Sequence, residues 1–577
     1  MEEQVKQNSE IVPKPLKQEV PKPLKEVEIP QTEPVKTDKN VKPKKASLIE
    51  QVLEKFKAQE KAEYKTVFEI KPILDIPKLP DTKDLTQIDV KYKVIDPYVS
   101  IHIYWDQENK EIIYKVEEPE LNELEKKQLN IIEEGLIELI NISFINISDE
   151  KTVIEYLEKN LKILLDELSI KTSIETFKKF MYYIWRDFIG MNEIEPLLRD
   201  YYIEDIECNG ANSPIYIVHR KYQNIKTTLI YEDITHLIHF VEKLAQKCSK
   251  YVSYANPLLD GVLPSGERVN ATYTEDVSSK GPTFTIRKFT KEPWTPIKII
   301  QFRSVSPEIF AYLWMAIEHS ANIMIIGPTG SGKTSFLNAI AFFIPPAARV
   351  VSIEDTRELN LKHENWLPSV ARAGLGSTTI TGEKHGEVSL FALLKESFRQ
   401  RPDYIIVGEV RGKEAFVLFQ GMASGHSSFG TMHADSAETM IKRLETAPIN
   451  LSASLVESLD IIAVMIPAKV KGKQVRRLRE ITEVVSITES GNTFNQPFQW
   501  DPAADRFLFK TASKVFHKIM KRTGMNEAEL LREFRLRTYL LLAMTRQNIV
   551  GFKEVQDIIN EYYKDPLTVL RRFQIIR

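Results

Sequence analysis

Eight residues, GPTGSGKT from Gly327 to Thr334, carry the densest chemistry in this 577-residue chain. They match the spacing G-x-x-x-x-G-K-[ST], with the apolar run ANIMIIG before them and the helix-like SFLNAI after them. In that setting glycines let backbone N–H groups curl around an anion, the helix N-terminus adds its positive dipole end, and Lys333 adds a mobile cation. The ligand such a cradle fits is a polyphosphate. Gly327, Thr329, Gly330, Ser331, Gly332, Lys333, Thr334 and Ser335 are therefore candidate nucleotide-binding positions, and the Thr334 hydroxyl is suited to Mg²⁺.

Hydrolysis needs more than a cradle, and two acidic segments offer it. RVVSIEDTREL places Glu354, Asp355 and Glu358 at the end of a strand-like run, and DYIIVGEVRG ends another in Glu409. Glu409 is a Walker-B-like carboxylate suited to the shell of Mg²⁺, although the usual terminal Asp is missing. One carboxylate must take a proton from the attacking water. The acidic trio also reads as a solvated surface turn. His433, in FGTMHADSAET, and His426, in MASGH, follow and precede a β-like run; each reads as a site residue or as a satisfied structural histidine.

These residues need elements to hold them. ANIMIIG, ARVVSIE, DYIIVGE and SSFGTMH are short apolar runs separated by helix-like stretches, the pattern of a mainly parallel sheet covered on both faces. Upstream, VSIHIYWDQENKEIIYKVEE reads as two strands and a turn, Glu120 to Gly190 is helical in period, and SPIYIVHRKY and GPTFTIRKFT read as strands. The expected organisation is a disordered Lys/Pro/Glu-rich tail at 1–60 and an α+β N-terminal domain at 61–289. A proline-punctuated linker at 290–305, an α/β ATPase-type domain at 306–510 and a helical C-terminal appendage at 511–577 follow. In the appendage Asn526 and Glu529 have capping-box spacing, with Leu531, Phe534, Leu541 and Leu542 as the apolar face.

The tail holds seven prolines before Ala46 and repeats VPKPLK at Val12 and Val20. It reads as a solubilising tether or as a docking segment. A formal charge of −2 argues against wholesale nucleic-acid binding, so no direct nucleic acid is expected. Two cysteines, Cys208 and Cys248, make neither a disulfide framework nor a zinc site. With no signal-like N-terminus and no membrane-span-length apolar run, a cytoplasmic chain is expected.

From about Pro97 to Thr488 the chain resembles the motor ATPases of the type II/type IV secretion superfamily. GPTGSGKT, SIEDTREL, RPDYIIVGEVRG and GTMHA follow that family's Walker A, Asp box, Walker B and His box in order. IEDTRELNLKHENW and RLETAPIN make it most similar to the archaeal branch, which builds pili or drives the archaellum. The resemblance implies a RecA-like P-loop domain with ATP and Mg²⁺, Glu358 as water-activating base and Glu409 as magnesium-side carboxylate. It implies that His433 couples the γ-phosphate to domain movement, and that Arg268 and Arg287, with Arg220 as a further contributor, lie near bound nucleotide. Singly, such arginines also read as surface ion-pairing residues. The two are expected to act across a subunit boundary.

The implied activity is ATP hydrolysis by a homohexamer at the inner face of the cell membrane. It works through a polytopic membrane platform protein on pilin or archaellin filament machinery. A conjugation-type DNA-transfer ATPase and a nucleotide-operated switch or scaffold are the alternatives.

Overall fold

A computed structural model describes residues 66–576, leaving out 72, 74–76, 78, 81–83, 141–149, 290–291, 373, 379–383 and 489–490. The expected tail and its VPKPLK repeat lie outside the described residues. The described residues divide into two compact units, one of 66–68 with 123–177, the other of 69–122 with 178–576.

In the first unit the helices Glu123–Ile140 and Glu150–Glu167 turn apolar stripes inward, burying Leu129, Ile132 and Leu136 on one and Leu157, Leu161 and Leu164 on the other. Gly135 lets Leu164 approach, since a Cβ there would stand 3.2 Å from its methyl carbon. The Glu158 carboxylate is fully buried but satisfied: it accepts the Val67 and Phe68 N–H groups at 3.0–3.1 Å and pairs with Lys162 at 3.0 Å.

The second unit contains two nine-stranded sheets. The first is built from β1 (Asp89–Ile95), β2 (Val99–Asp106), β3 (Glu111–Glu117), β4 (Ile203–Cys208), β5 (Pro214–His219), β6 (Gln223–Ile230), β7 (Leu258–Val262), β8 (Arg268–Thr272) and β9 (Thr283–Arg287). Its order is β1-β2-β3-β6-β5-β4-β9-β8-β7, antiparallel except at β3 and β6. The second contains β10 (Ile323–Ile326), β11 (Val350–Glu354), β12 (Trp366–Val370), β15 (Tyr404–Val407), β16 (Ser427–Met432), β17 (Ile461–Val470), β18 (Lys473–Thr488), β19 (Gly491–Asp501) and β20 (Arg506–Phe509); a separate ribbon pairs β13 (Leu375–Thr378) with β14 (Lys384–His385). Its order is β12-β11-β15-β16-β10-β17-β18-β19-β20. Every pair from β12 through β17 is parallel, and the rest are antiparallel. This is the expected α/β class, with an α+β sheet ahead of it in sequence.

Two cores share the second sheet, because alternate residues of a strand face opposite sides. Ile323, Ile325, Val350, Ile406 and Phe429 enter one; Met324, Ile326, Val351, Val407 and Met432 enter the other. Each such fully buried side chain is worth about 1.5–3 kcal/mol of transfer free energy.

The first core corrects two expectations. The stretch expected as a linker holds a helix, Pro296–Gln301, whose N-cap Thr295 accepts the Lys298 N–H and whose Ile297, Ile299 and Ile300 are buried. Pro296 and Pro307 stand at helix starts, where a missing N–H costs nothing, so these prolines begin helices. The expected appendage is a covering layer of the sheet. Phe516, Leu530, Leu541, Met544, Ile559, Tyr562 and Leu570 share a core with Phe310, Trp314 and Phe336. Its capping box is present, Asn526 Oδ1 accepting from Glu529 N at 2.9 Å and Glu529 Oε2 from Asn526 N at 3.0 Å. The buried face of that helix runs through Leu530, Leu541 and Met544, while Leu531 and Phe534 are only partly covered. Among the described residues no helix is long and apolar enough to cross a membrane.

Candidate functional site

Parallel strands deliver their C-terminal ends to one edge, and the predicted residues lie along it. β10 runs between β16 and β17, with Ile326 opposite both Met432 and Val464, so Gly327 and His433 leave the sheet side by side. Asp355 and Glu358 follow β11, and Glu409 follows β15. His426 lies at the start of β16, a strand's length of about 20 Å from this edge, and meets the Phe398 ring edge-on. It is thus separated from the others.

The loop after β10 depends on glycine. Gly327 has φ +152°, and a Cβ there would fall 2.1 Å from the Met465 carbonyl oxygen. Gly332 has φ +91° and caps the helix Lys333–Ala341 without offering a side-chain acceptor to its first-turn N–H groups. Ser331 Oγ is buried with no hydrogen-bond partner. Uncapped first-turn N–H groups and an orphaned hydroxyl suit an anion with several acceptor oxygens.

Lys333 is nearly buried and donates to the Gly327 and Pro328 carbonyls at 3.0 and 2.9 Å. Burial lowers its pKa, while Glu409 and Glu358 act to keep its proton. Both carboxylates therefore lie close enough to feel this ammonium. His433 Nε2 stands 3.9 Å from Glu409 Oε1, with both side chains more than a third exposed. The His433 carbonyl accepts from Arg443, which holds the turn after β16.

Glu354 is the buried member of the acidic trio. Its Oε1 accepts the Glu358 and Leu359 N–H groups at 3.0 and 2.9 Å, its Oε2 has no partner, and burial pushes its pKa up to about 7. Asp355 pairs with Arg411. Glu358 is exposed, its carbonyl held by Asn338 at 3.4 Å. The three acids thus separate into a turn former, an ion-pair partner and an exposed carboxylate.

A cavity of about 230 Å³ brings both sheets' contributions together. Thr334, Ser335 and Glu358 line it beside Arg220, Arg268 and Arg287. Arg268 and Arg287 are directly opposite on β8 and β9, and Asp205 on β4 is next in the same row. Exposed ion pairs hold both, Arg268 with Asp260 at 3.4 Å and Arg287 with Asp205 at 3.1 Å. Arg220 lies over the Tyr201 ring at 4.4 Å. Arg268 and Arg287, expected to act across a subunit boundary, line this cavity together with the Thr334 and Glu358 of their own chain.

Arg357, within SIEDTREL, and Arg476, which belongs to none of the recognised motifs, also line this cavity. The overlooked signal for Arg476 is the pair RR inside a strand, where adjacent residues must face opposite ways. Among the described residues no cluster of three or more His, Cys, Asp or Glu groups is arranged to hold a metal.

The family model for type II/IV secretion system proteins matches residues 189–500. The chain belongs to that family. The uncharacterized protein MJ0900 of Methanocaldococcus jannaschii is 34% identical over 515 residues, 84% of this chain and 91% of that one. The type IV secretion system protein PtlH of Bordetella pertussis is 31% identical over 264 residues, 40% of this chain and 76% of that one. A solved secretion-family structure, the VirB11 ATPase of the Brucella suis type IV secretion system, is 24% identical, covers 50% of this chain and 95% of that one, and superposes with a TM-score of 0.26.

Proposed function

We propose that this secretion-family chain is a Mg²⁺-dependent ATPase motor that works as a homohexamer on the cytoplasmic side of the membrane. Through a polytopic platform protein it assembles or exports pilin-like or archaellin-like subunits. One observation carries the reading: the P-loop, Glu358, Glu409 and His433 share one strand-end edge, and the P-loop residue Thr334 and Glu358 share a cavity with Arg220, Arg268 and Arg287. Membership in the secretion family supports the setting.

In this reading the N–H groups from Gly330 to Ser335 and the Lys333 ammonium hold the polyphosphate. Thr334 and Glu409 would hold Mg²⁺, which when bound neutralises phosphate charge. Glu358 accepts the proton of a water whose oxygen bonds to the γ-phosphorus as the bond to the β,γ-bridging oxygen breaks, leaving ADP and phosphate. The arginines stabilise the charge on the phosphates. His433 hydrogen-bonds Glu409 or the γ-phosphate, and exchange between these partners distinguishes the states before and after hydrolysis.

The test separates cradle from base. Lys333→Ala is expected to lose nucleotide binding, and Glu358→Gln to bind ATP while hydrolysing it about 10²- to 10⁴-fold more slowly. Single-turnover hydrolysis at the wild-type rate in Glu358→Gln would remove that residue from the mechanism.

A further inference from the structure

β18 leaves its turn as KQVRRLRE, and strand alternation sends two adjacent arginines to opposite faces. Arg477 is buried, its Nε and Nη2 meeting the two Asp505 carboxylate oxygens at 2.9 and 3.1 Å. Arg476 is exposed and takes the other side, where its Nε donates to the Gly330 carbonyl at 2.9 Å. Its Cδ lies 3.3 Å from where a Gly332 Cβ would be, a further reason for glycine there. The hairpin therefore meets the P-loop through Met465 at Gly327 and through Arg476 at Gly330 and Gly332.

That bond uses one of the five N–H donors of a planar guanidinium. Among the described residues no carboxylate pairs with Arg476, whereas Asp505 takes Nε and Nη2 of its neighbour Arg477, whose Nη1 donates to the Phe302 and Arg476 carbonyls. The side chain lines the same cavity as Thr334, Ser335 and Glu358. An arginine fixed at Nε, whose outer N–H groups meet no acceptor among the described residues, is preorganised for bidentate contact with phosphate oxygens.

We infer that Arg476 is a phosphate-contacting residue of the nucleotide site, clipping the P-loop at Gly330 through Nε and presenting its outer N–H groups to the polyphosphate. The inference rests on the nucleotide reading proposed above. It makes the β17–β18 hairpin part of the site, so that binding polyphosphate stiffens the joint between hairpin and P-loop.

The experiment compares full-length wild type, Arg476→Ala and Arg476→Lys for affinity to adenosine, ADP and a non-hydrolysable ATP analogue, with thermal unfolding of each protein without nucleotide. Arg476→Ala is expected to weaken ADP and the analogue by about 10- to 100-fold, the range for a charge-assisted hydrogen bond, and adenosine by less than about threefold. Arg476→Lys keeps the charge without the fork and should recover part of the loss. Unfolding without nucleotide should be unchanged. An equal loss for all three ligands would make Arg476 a brace of the loop and overturn the inference, as would ADP affinity within about twofold of wild type. Wild type that binds neither ADP nor the analogue would overturn the nucleotide reading and this inference together.

Discussion

Glu354 shows how one buried carboxyl can matter to a site without touching a ligand. Its Oε1 fixes the N–H of Glu358, so the turn carrying the proposed base is hung from a group that water does not reach. Burial pushes its pKa from the ordinary 4.5 to about 7, against the pull of the two N–H groups. Between those values the folded chain keeps a proton that the unfolded chain has released. Stability therefore falls as pH rises from about 4.5 to about 7 and is level above, a cost of about 3 kcal/mol. Glu354→Gln keeps an oxygen acceptor and removes the titration. Its unfolding temperature, relative to wild type, should rise by several degrees between pH 4.5 and pH 8. Parallel curves for the two proteins across that range would show that Glu354 titrates as an ordinary carboxyl.

At the scale of elements, β8 and β9 deliver two cations from adjacent strands to the cavity that holds their own chain's Thr334. Mixing Lys333→Ala chains with Arg268→Ala/Arg287→Ala chains should then recover no hydrolysis, since no chain has both an intact P-loop and intact arginines. Recovery in verified mixed oligomers would assign the arginines to a neighbour's site. Much of this arrangement is legible in the sequence, because a strand buried on both faces must be a short apolar run and its C-terminal end must carry whatever follows it. ANIMIIG, VVSIE, YIIVGE and FGTMH all fell on one edge for that reason. Proline is less legible: it breaks a helix interior yet starts a helix well, so KEPWTPIKIIQFRSVSPE read as a linker while it holds one helix and the start of another. The periodicity of 511–577 announces an apolar face but not what covers it. The contact of Arg476 is not legible locally, because its partner Gly330 is distant in sequence and no short pattern records that pairing.

For the molecule as a whole, the C-terminal helices are bonded to the helix that begins at Lys333. Gln556 Nε2 donates to the Phe342 carbonyl at 3.1 Å and the Tyr563 hydroxyl to the Phe343 carbonyl at 2.6 Å, just past the end of that helix. Buried Arg537 adds pairs with Glu318 and Glu533 and lies over the Trp314 ring at 4.9 Å. Ending the chain after Lys510 should expose that core and leave an aggregating or protease-labile protein that binds no nucleotide, read by limited proteolysis and size-exclusion chromatography. A soluble, nucleotide-binding 1–510 fragment would show the helices to be dispensable. The same layer bears on biosynthesis. At about 5–20 residues per second the ribosome releases the P-loop on the order of tens of seconds before the helices that cover its sheet. Until they emerge, the face of the sheet that Phe310, Trp314 and Phe336 help to form stays open to water, an apolar surface that the nascent chain must keep from sticking.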